Sequence, residues 1–248
     1  MALPNAVDVP GSFSAVGRIC GVSLCVPPPL PGHPLANMLP RWRRQERVTM
    51  ASPEKELVSA DAFLAWAATQ KERFELVDGR VVRMMTASKQ SYNVVAADTL
   101  AALLPHARRN GCRTTASDTA VRTGPVTIRN PDVVVDCGPG NPEALEASTP
   151  TLVVEVSSPG TSAIDATDKL DEYRSHGDIR LIRFVDPDVI SVKLYRRNLR
   201  GGWSVEKFDD LDQTIDLAEI GAVLMMGAIY ESLEPLPPPH LRLVDTAP

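Results

Sequence analysis

Apolar and polar residues follow two different periods along this chain, and the changes of period mark out its elements. Ser59 caps a predicted helix over 60–69, with Phe63, Leu64 and Trp66 as its apolar stripe. Residues 74–77 and 80–84 flank Asp78-Gly79, a dipeptide that turns a hairpin. Helical spacing returns over 91–107, where Val94, Val95, Leu100, Leu103 and Leu104 form one face and Gly111 follows as a stop. Three strands are predicted next, over 113–122, 126–137 and 151–157. The last two carry nearly continuous apolar runs, as strands covered on both faces do. A helix over 163–176 ends at Gly177. Strands over 180–185, 189–196 and 203–208 follow, with a short one near Thr214. The order predicts an α+β fold with one mixed β-sheet flanked by helices, in which strand 151–157, its helix and strand 180–185 form a crossover.

The pattern fails at both ends. Residues 1–49 hold eight of the 22 prolines, only Asp8 and Glu46 as acids, and the basic knot Arg41-Trp42-Arg43-Arg44. Such composition cannot offset chain entropy, so we expect a disordered extension, with Met50 a plausible alternative start. The ordered domain is expected over 50–233 and a flexible proline-rich tail over 234–248. No apolar run approaches membrane-spanning length and the N-terminus lacks a secretory pattern, so the expected location is cytoplasmic. Net charge is −5, which argues against a broad coat of nucleic acid but not against a locally basic cleft. The four cysteines form no CxxC pair, and Cys137 reads as a small core residue.

Two carboxylates interrupt the apolar runs: Asp132 before Val133-Val134-Val135, and Glu155 inside Leu152-Val153-Val154-Glu155-Val156. An ionised carboxylate there is costly unless paired or bound to metal. Strand alternation puts Asp132, Val134 and Asp136 on one face, and Val153 with Glu155 on one face of the other strand. If the strands are neighbours, the acids converge into a hard oxygen site for Mg²⁺ or Mn²⁺. A buried salt bridge to Arg122 or Arg183 explains the same residues equally well. Glu75 either joins this site or points outward. Lys169 either serves it or pairs with Asp165 four residues earlier, and Tyr173 lies one turn on. The link 157–161 reads as a turn with Thr161 or Ser162 as cap. No GxSxG, P-loop or GxGxxG pattern offers another chemistry. His106 and His176 lie near helix ends, in structural rather than catalytic positions.

Taken in order, Phe74-Glu75-Leu76-Val77-Asp78-Gly79, Asn130-Pro131-Asp132-Val133, Leu152-Val153-Val154-Glu155-Val156-Ser157-Ser158-Pro159, then Asp165, Lys169, Tyr173, Gly177 and Val185-Asp186-Pro187 resemble the Uma-two family of restriction endonucleases in the PD-(D/E)XK nuclease superfamily. The resemblance runs from about Ser59 to Ser232. It implies a restriction-endonuclease-like core and a Mg²⁺- or Mn²⁺-dependent endonuclease hydrolysing phosphodiesters of DNA. Glu75, Asp132 and Glu155 would hold metal and Lys169 would serve as the catalytic lysine. That lysine normally stands two positions after the second acid, where this chain has Ser157. Tyr92 stands where members often carry histidine. Alternatives are a catalytically inactive nuclease-fold module that binds DNA or protein, and action on RNA. A homodimer is compatible with cutting both strands.

Overall fold

The computed structural model describes residues 57–84, 88–156 and 163–239, with side chains from residue 166 onward in the last stretch. The expected extension 1–49, the link 157–162 with its candidate caps, the Asp165 side chain and the tail beyond 239 lie outside the described residues.

Helix α1 (Ala60–Ala67) starts at Ser59, whose hydroxyl accepts from the Ala62 amide at 3.3 Å. Strands β1 (Phe74–Val77) and β2 (Arg80–Arg83) form the expected hairpin. Asp78 and Gly79 both have positive φ, 47° and 72°, as a two-residue turn matching strand twist requires. Helix α2 (Gln90–Arg109) buries Val95, Thr99, Leu103 and Ala107, an i, i+4 stripe. The expected Val94, Leu100 and Leu104 lie half-buried at its edges.

Both long strands expected before residue 138 are broken in two. Residues 113–122 become β3 (Arg113–Ala116) and β4 (Val121–Gly124), separated by a turn. Residues 126–137 become β5 (Thr127–Arg129) and β6 (Val133–Asp136). Pro131 lacks the amide that a continuous ladder needs, and the chain changes sheet across Asn130-Pro131-Asp132. Strand β7 (Pro150–Val156) is buried throughout. It is followed by helix α3 (Ala163–Ser175) and strands β8 (Leu181–Asp186), β9 (Ser191–Arg197) and β10 (Trp203–Phe208). Strands β11 (Thr214–Leu217) and β12 (Ala222–Met225) come last.

The strands therefore divide among three sheets rather than one. One has four strands in the order β2-β1-β5-β4, the second six in the order β10-β9-β8-β7-β6-β3, and β11-β12 form a separate ribbon. The strand near Thr214 does not extend the main sheet. That sheet is mixed: β7 and β8 run parallel with α3 between them in sequence, and its other pairings are antiparallel. This is the α+β, restriction-endonuclease-like arrangement.

Alternation in β7 sends Leu152, Val154 and Val156 into a large core with Val95 and Leu103 of α2. Val153 goes to the opposite face, with Val134, Tyr173 and Ile182. Cys112 and Cys137 are disulfide-bonded, with Cα atoms 4.1 Å apart. Cys137 is thus not a lone core thiol. The Arg113↔Asp136 pairing of β3 and β6 brings the two cysteines level one step further out. Near the C-terminal end, the Ile190 amide donates to the Pro238 carbonyl at 2.9 Å.

Candidate active site

The acids lie where the two larger sheets approach each other. Antiparallel pairing aligns Val133 with Val154, so Asp132 and Glu155 face one another one step along the ladder. Asp132 is held by two donors. The Val156 amide reaches Oδ2 at 2.7 Å, and the Tyr92 hydroxyl donates to Oδ1. Glu155 has a parallel arrangement: the Tyr173 hydroxyl donates to Oε1 at 2.6 Å and Lys169 Nζ to Oε2 at 3.4 Å.

Glu75 enters from β1. Lys169 Nζ lies 3.4 Å from its Oε1, the same separation it keeps from Glu155. The Asn130 amide donates to that oxygen as well, at 3.1 Å, and Arg129 donates to Oε2 at 3.0 Å. Arg129 in turn grips Glu172 through two bonds of 2.7 Å. Helical spacing explains the α3 contribution. Lys169, Glu172 and Tyr173 stand at i, i+3 and i+4, hence on one side of the helix.

All four candidate residues, Glu75, Asp132, Glu155 and Lys169, are therefore brought to one buried cluster. Neither arginine considered as a salt-bridge partner takes part. Arg122 pairs with Asp61 and Glu146, while Arg183 on β8 is fully buried and has no hydrogen-bond partner among the described residues. The sequence reading missed Arg129 and Glu172. A visible signal was the charged Arg129 directly after Ile128 in a buried strand.

Among the described residues, four carboxylates, Glu75, Asp132, Glu155 and Glu172, cluster around two buried cations, Lys169 and Arg129. Burial pushes the Glu155 carboxyl up to about 7, with the Asp132 charge adding to burial and Lys169 only partly opposing it. Burial also raises Asp132, against the Tyr92 and Val156 hydrogen bonds, Lys169 and the more distant Arg73. A pair of desolvated carboxylates in this condition suits a hard divalent cation. Among the described residues no three His, Cys, Asp or Glu side chains are grouped as a ready cation cage. A cleft of about 380 Å³ opens beside Asn130, walled by Phe63, Phe74 and Ile128, with Arg73 and Lys71 at its rim.

Residues 60–224 match the Uma2 family, described as "putative restriction endonuclease". The chain belongs to the Uma2 family. A relative in Synechocystis sp., the uncharacterised protein slr1290, is 28% identical over 180 residues, covering 71% of this chain and 93% of its own. A crystal structure from Anabaena variabilis, described as a "putative nuclease belonging to DUF820", superposes with a TM-score of 0.57 at 17% identity. The match covers 70% of this chain and 98% of that one, which supports the fold. Among the described residues, no helix of this Uma2 protein is long and apolar enough to cross a membrane.

Proposed function

We propose that this Uma2 protein is a Mg²⁺- or Mn²⁺-dependent endonuclease hydrolysing DNA phosphodiesters at Asp132 and Glu155. The observation that carries the reading is the pairing of these two buried, charge-frustrated carboxylates across β6 and β7, with Lys169 against one of them. Family membership gives the class of reaction.

Asp132 and Glu155 would hold the ion. When bound, it would polarise the phosphodiester and make water acidic enough to attack at neutral pH. Lys169 stands between Glu75 and Glu155, which fix the direction of its ammonium group. It would donate to the attacking water or to the developing charge on phosphoryl oxygens. Glu75 was expected among the metal ligands. Its oxygens already receive Arg129, Asn130 and Lys169, so its role here is to aim Lys169. Arg73, which pairs with Asp118 and whose charge favours the ionised form of Asp132, would meet substrate phosphate entering along the cleft it lines. The negative charge of the whole protein makes such local cations necessary.

The test is cleavage of supercoiled plasmid and of single-stranded DNA with Mg²⁺ or Mn²⁺, by wild type, Asp132→Ala and Glu155→Ala. Metal-dependent nicking lost in both variants is the expected result. No cleavage of any substrate by folded wild type with either ion contradicts the reading and favours a non-catalytic binding module.

A further inference from the structure

Both acids of the site are held in the same way, by one tyrosine hydroxyl and one nitrogen donor. For Glu155 these are Tyr173, fully buried, and Lys169. For Asp132 they are Tyr92 and the Val156 amide. The two tyrosines differ in setting. Tyr173 belongs to the core beneath the sheet, whereas Tyr92 is half-buried in the first turn of α2 and packs only at the margin of the other core.

We propose that Tyr92 is a positioning residue for the divalent-cation site, fixing the Asp132 carboxylate so that it can bind the ion. The inference rests on the metal-dependent reading above. One hydrogen bond, from Val156, leaves the carboxylate free to swing about its Cβ–Cγ bond; a second, on the other oxygen, sets its plane. Each carboxylate oxygen has two lone pairs, so accepting from tyrosine still leaves one for a cation. Groups that orient metal-binding carboxylates in this way govern affinity without touching the ion. Tyr92 reaches Asp132 from a helix whose other buried residues, Val95, Thr99, Leu103 and Ala107, only pack. Its hydroxyl is thus the one group on α2 tied to the acid pair among the contacts described.

The test is calorimetric titration of the full chain with Mn²⁺, without DNA, for wild type, Tyr92→Phe, Tyr92→His and Asp132→Ala. Melting temperatures without metal are recorded alongside. Tyr92→Phe should weaken Mn²⁺ binding about tenfold or more. Tyr92→His, which restores an N–H donor, should recover most of that loss, and neither effect should follow the melting temperature. Wild-type affinity in Tyr92→Phe, with binding lost in Asp132→Ala, overturns the role of Tyr92 and leaves the cation site standing. A loss in Tyr92→Phe that tracks melting temperature and is not recovered by Tyr92→His also overturns it. No Mn²⁺ binding by folded wild type removes both this role and the reading beneath it.

Discussion

Asp132 and Asp136 flank the same three valines of one strand, and alternation places them on the same face. Their surroundings are opposite. Asp136 sits against Arg113 at 2.9 Å and accepts from the amides of Gly138, Ser148 and Thr149 at 2.9, 3.0 and 2.9 Å. Burial works against its charge, but these donors together hold its carboxyl below the ordinary range. Among the described residues, Asp132 accepts from one hydroxyl and one amide, and a second carboxylate faces it. Burial wins there and the carboxyl is raised. An acid whose charge the fold fully satisfies has no need of a ligand. An acid left in deficit beside another is prepared for one. One end of β6 is anchorage, the other a candidate active site.

The largest expected effect breaks this comparison on activity. Asp132→Ala should lower plasmid cleavage by roughly a thousandfold, a loss on the scale of removing a principal charge-stabilising group. Asp136→Asn should leave the rate per folded molecule close to wild type. Gel-based rates normalised to folded protein check both.

On stability the order reverses. Asp136→Asn removes the acceptor for a salt bridge and weakens three amide hydrogen bonds, and should cost about 3 kcal/mol in urea melts. Asp132→Asn relieves a buried charge in deficit and should raise metal-free stability by about 1 kcal/mol, the usual exchange of stability for function. Loss of stability in both variants alike would erase the distinction.

Arg183 extends the contrast to cations. Arg129 is buried between Glu75 and Glu172, whereas the Arg183 guanidinium has no partner among the described residues and burial lowers it to about 10. Arg183→Met should therefore stabilise the protein by about 1 to 2 kcal/mol in the same melts. A destabilised variant would show that this side chain is satisfied in solution.

A further effect is in pH. Burial raises Glu155 from its ordinary 4.5 to about 7. Between those values the folded protein holds a proton that the unfolded chain releases. This contribution to stability is full below pH 4.5 and is lost as pH rises through about 7. Metal-free melting temperature should decline across that window, and Glu155→Gln should flatten the decline. A rise across the same window contradicts the assignment of Glu155 as the frustrated acid.

How much of this was legible in the sequence follows from what was local. The Asp78-Gly79 turn and the Ser59 cap are set by neighbouring residues, and the sequence pattern placed them to the residue; of the buried α2 stripe it named Val95 and Leu103 but not Thr99 and Ala107. The acids stood out because a charge within an apolar run needs a reason, wherever the run ends up. The division into separate sheets was not legible. The apolar run breaks over Arg129-Asn130-Pro131-Asp132, but only tertiary pairing assigns β5 and β6 to different sheets. Nor could alternation distinguish Asp132 from Asp136, because the loop donors that satisfy Asp136 come from residues 138, 148 and 149. The Glu75–Arg129–Glu172 chain joins three elements distant in sequence and has no local signature. The disulfide was hidden for the same reason: 25 residues separate Cys112 from Cys137, and only the β3–β6 register brings them together.

The most direct test of the contrast is thermal melting with excess Mn²⁺ and with EDTA, for wild type, Asp132→Asn and Asp136→Asn. A ligand that binds only the folded protein at a hundred times its dissociation constant adds about 2.7 kcal/mol. Mn²⁺ should therefore raise the melting temperature of wild type and of Asp136→Asn, EDTA should reverse the rise, and Asp132→Asn should show almost none. An equal rise in Asp132→Asn, or a rise lost only in Asp136→Asn, would contradict the placement of the cation site at Asp132 and Glu155.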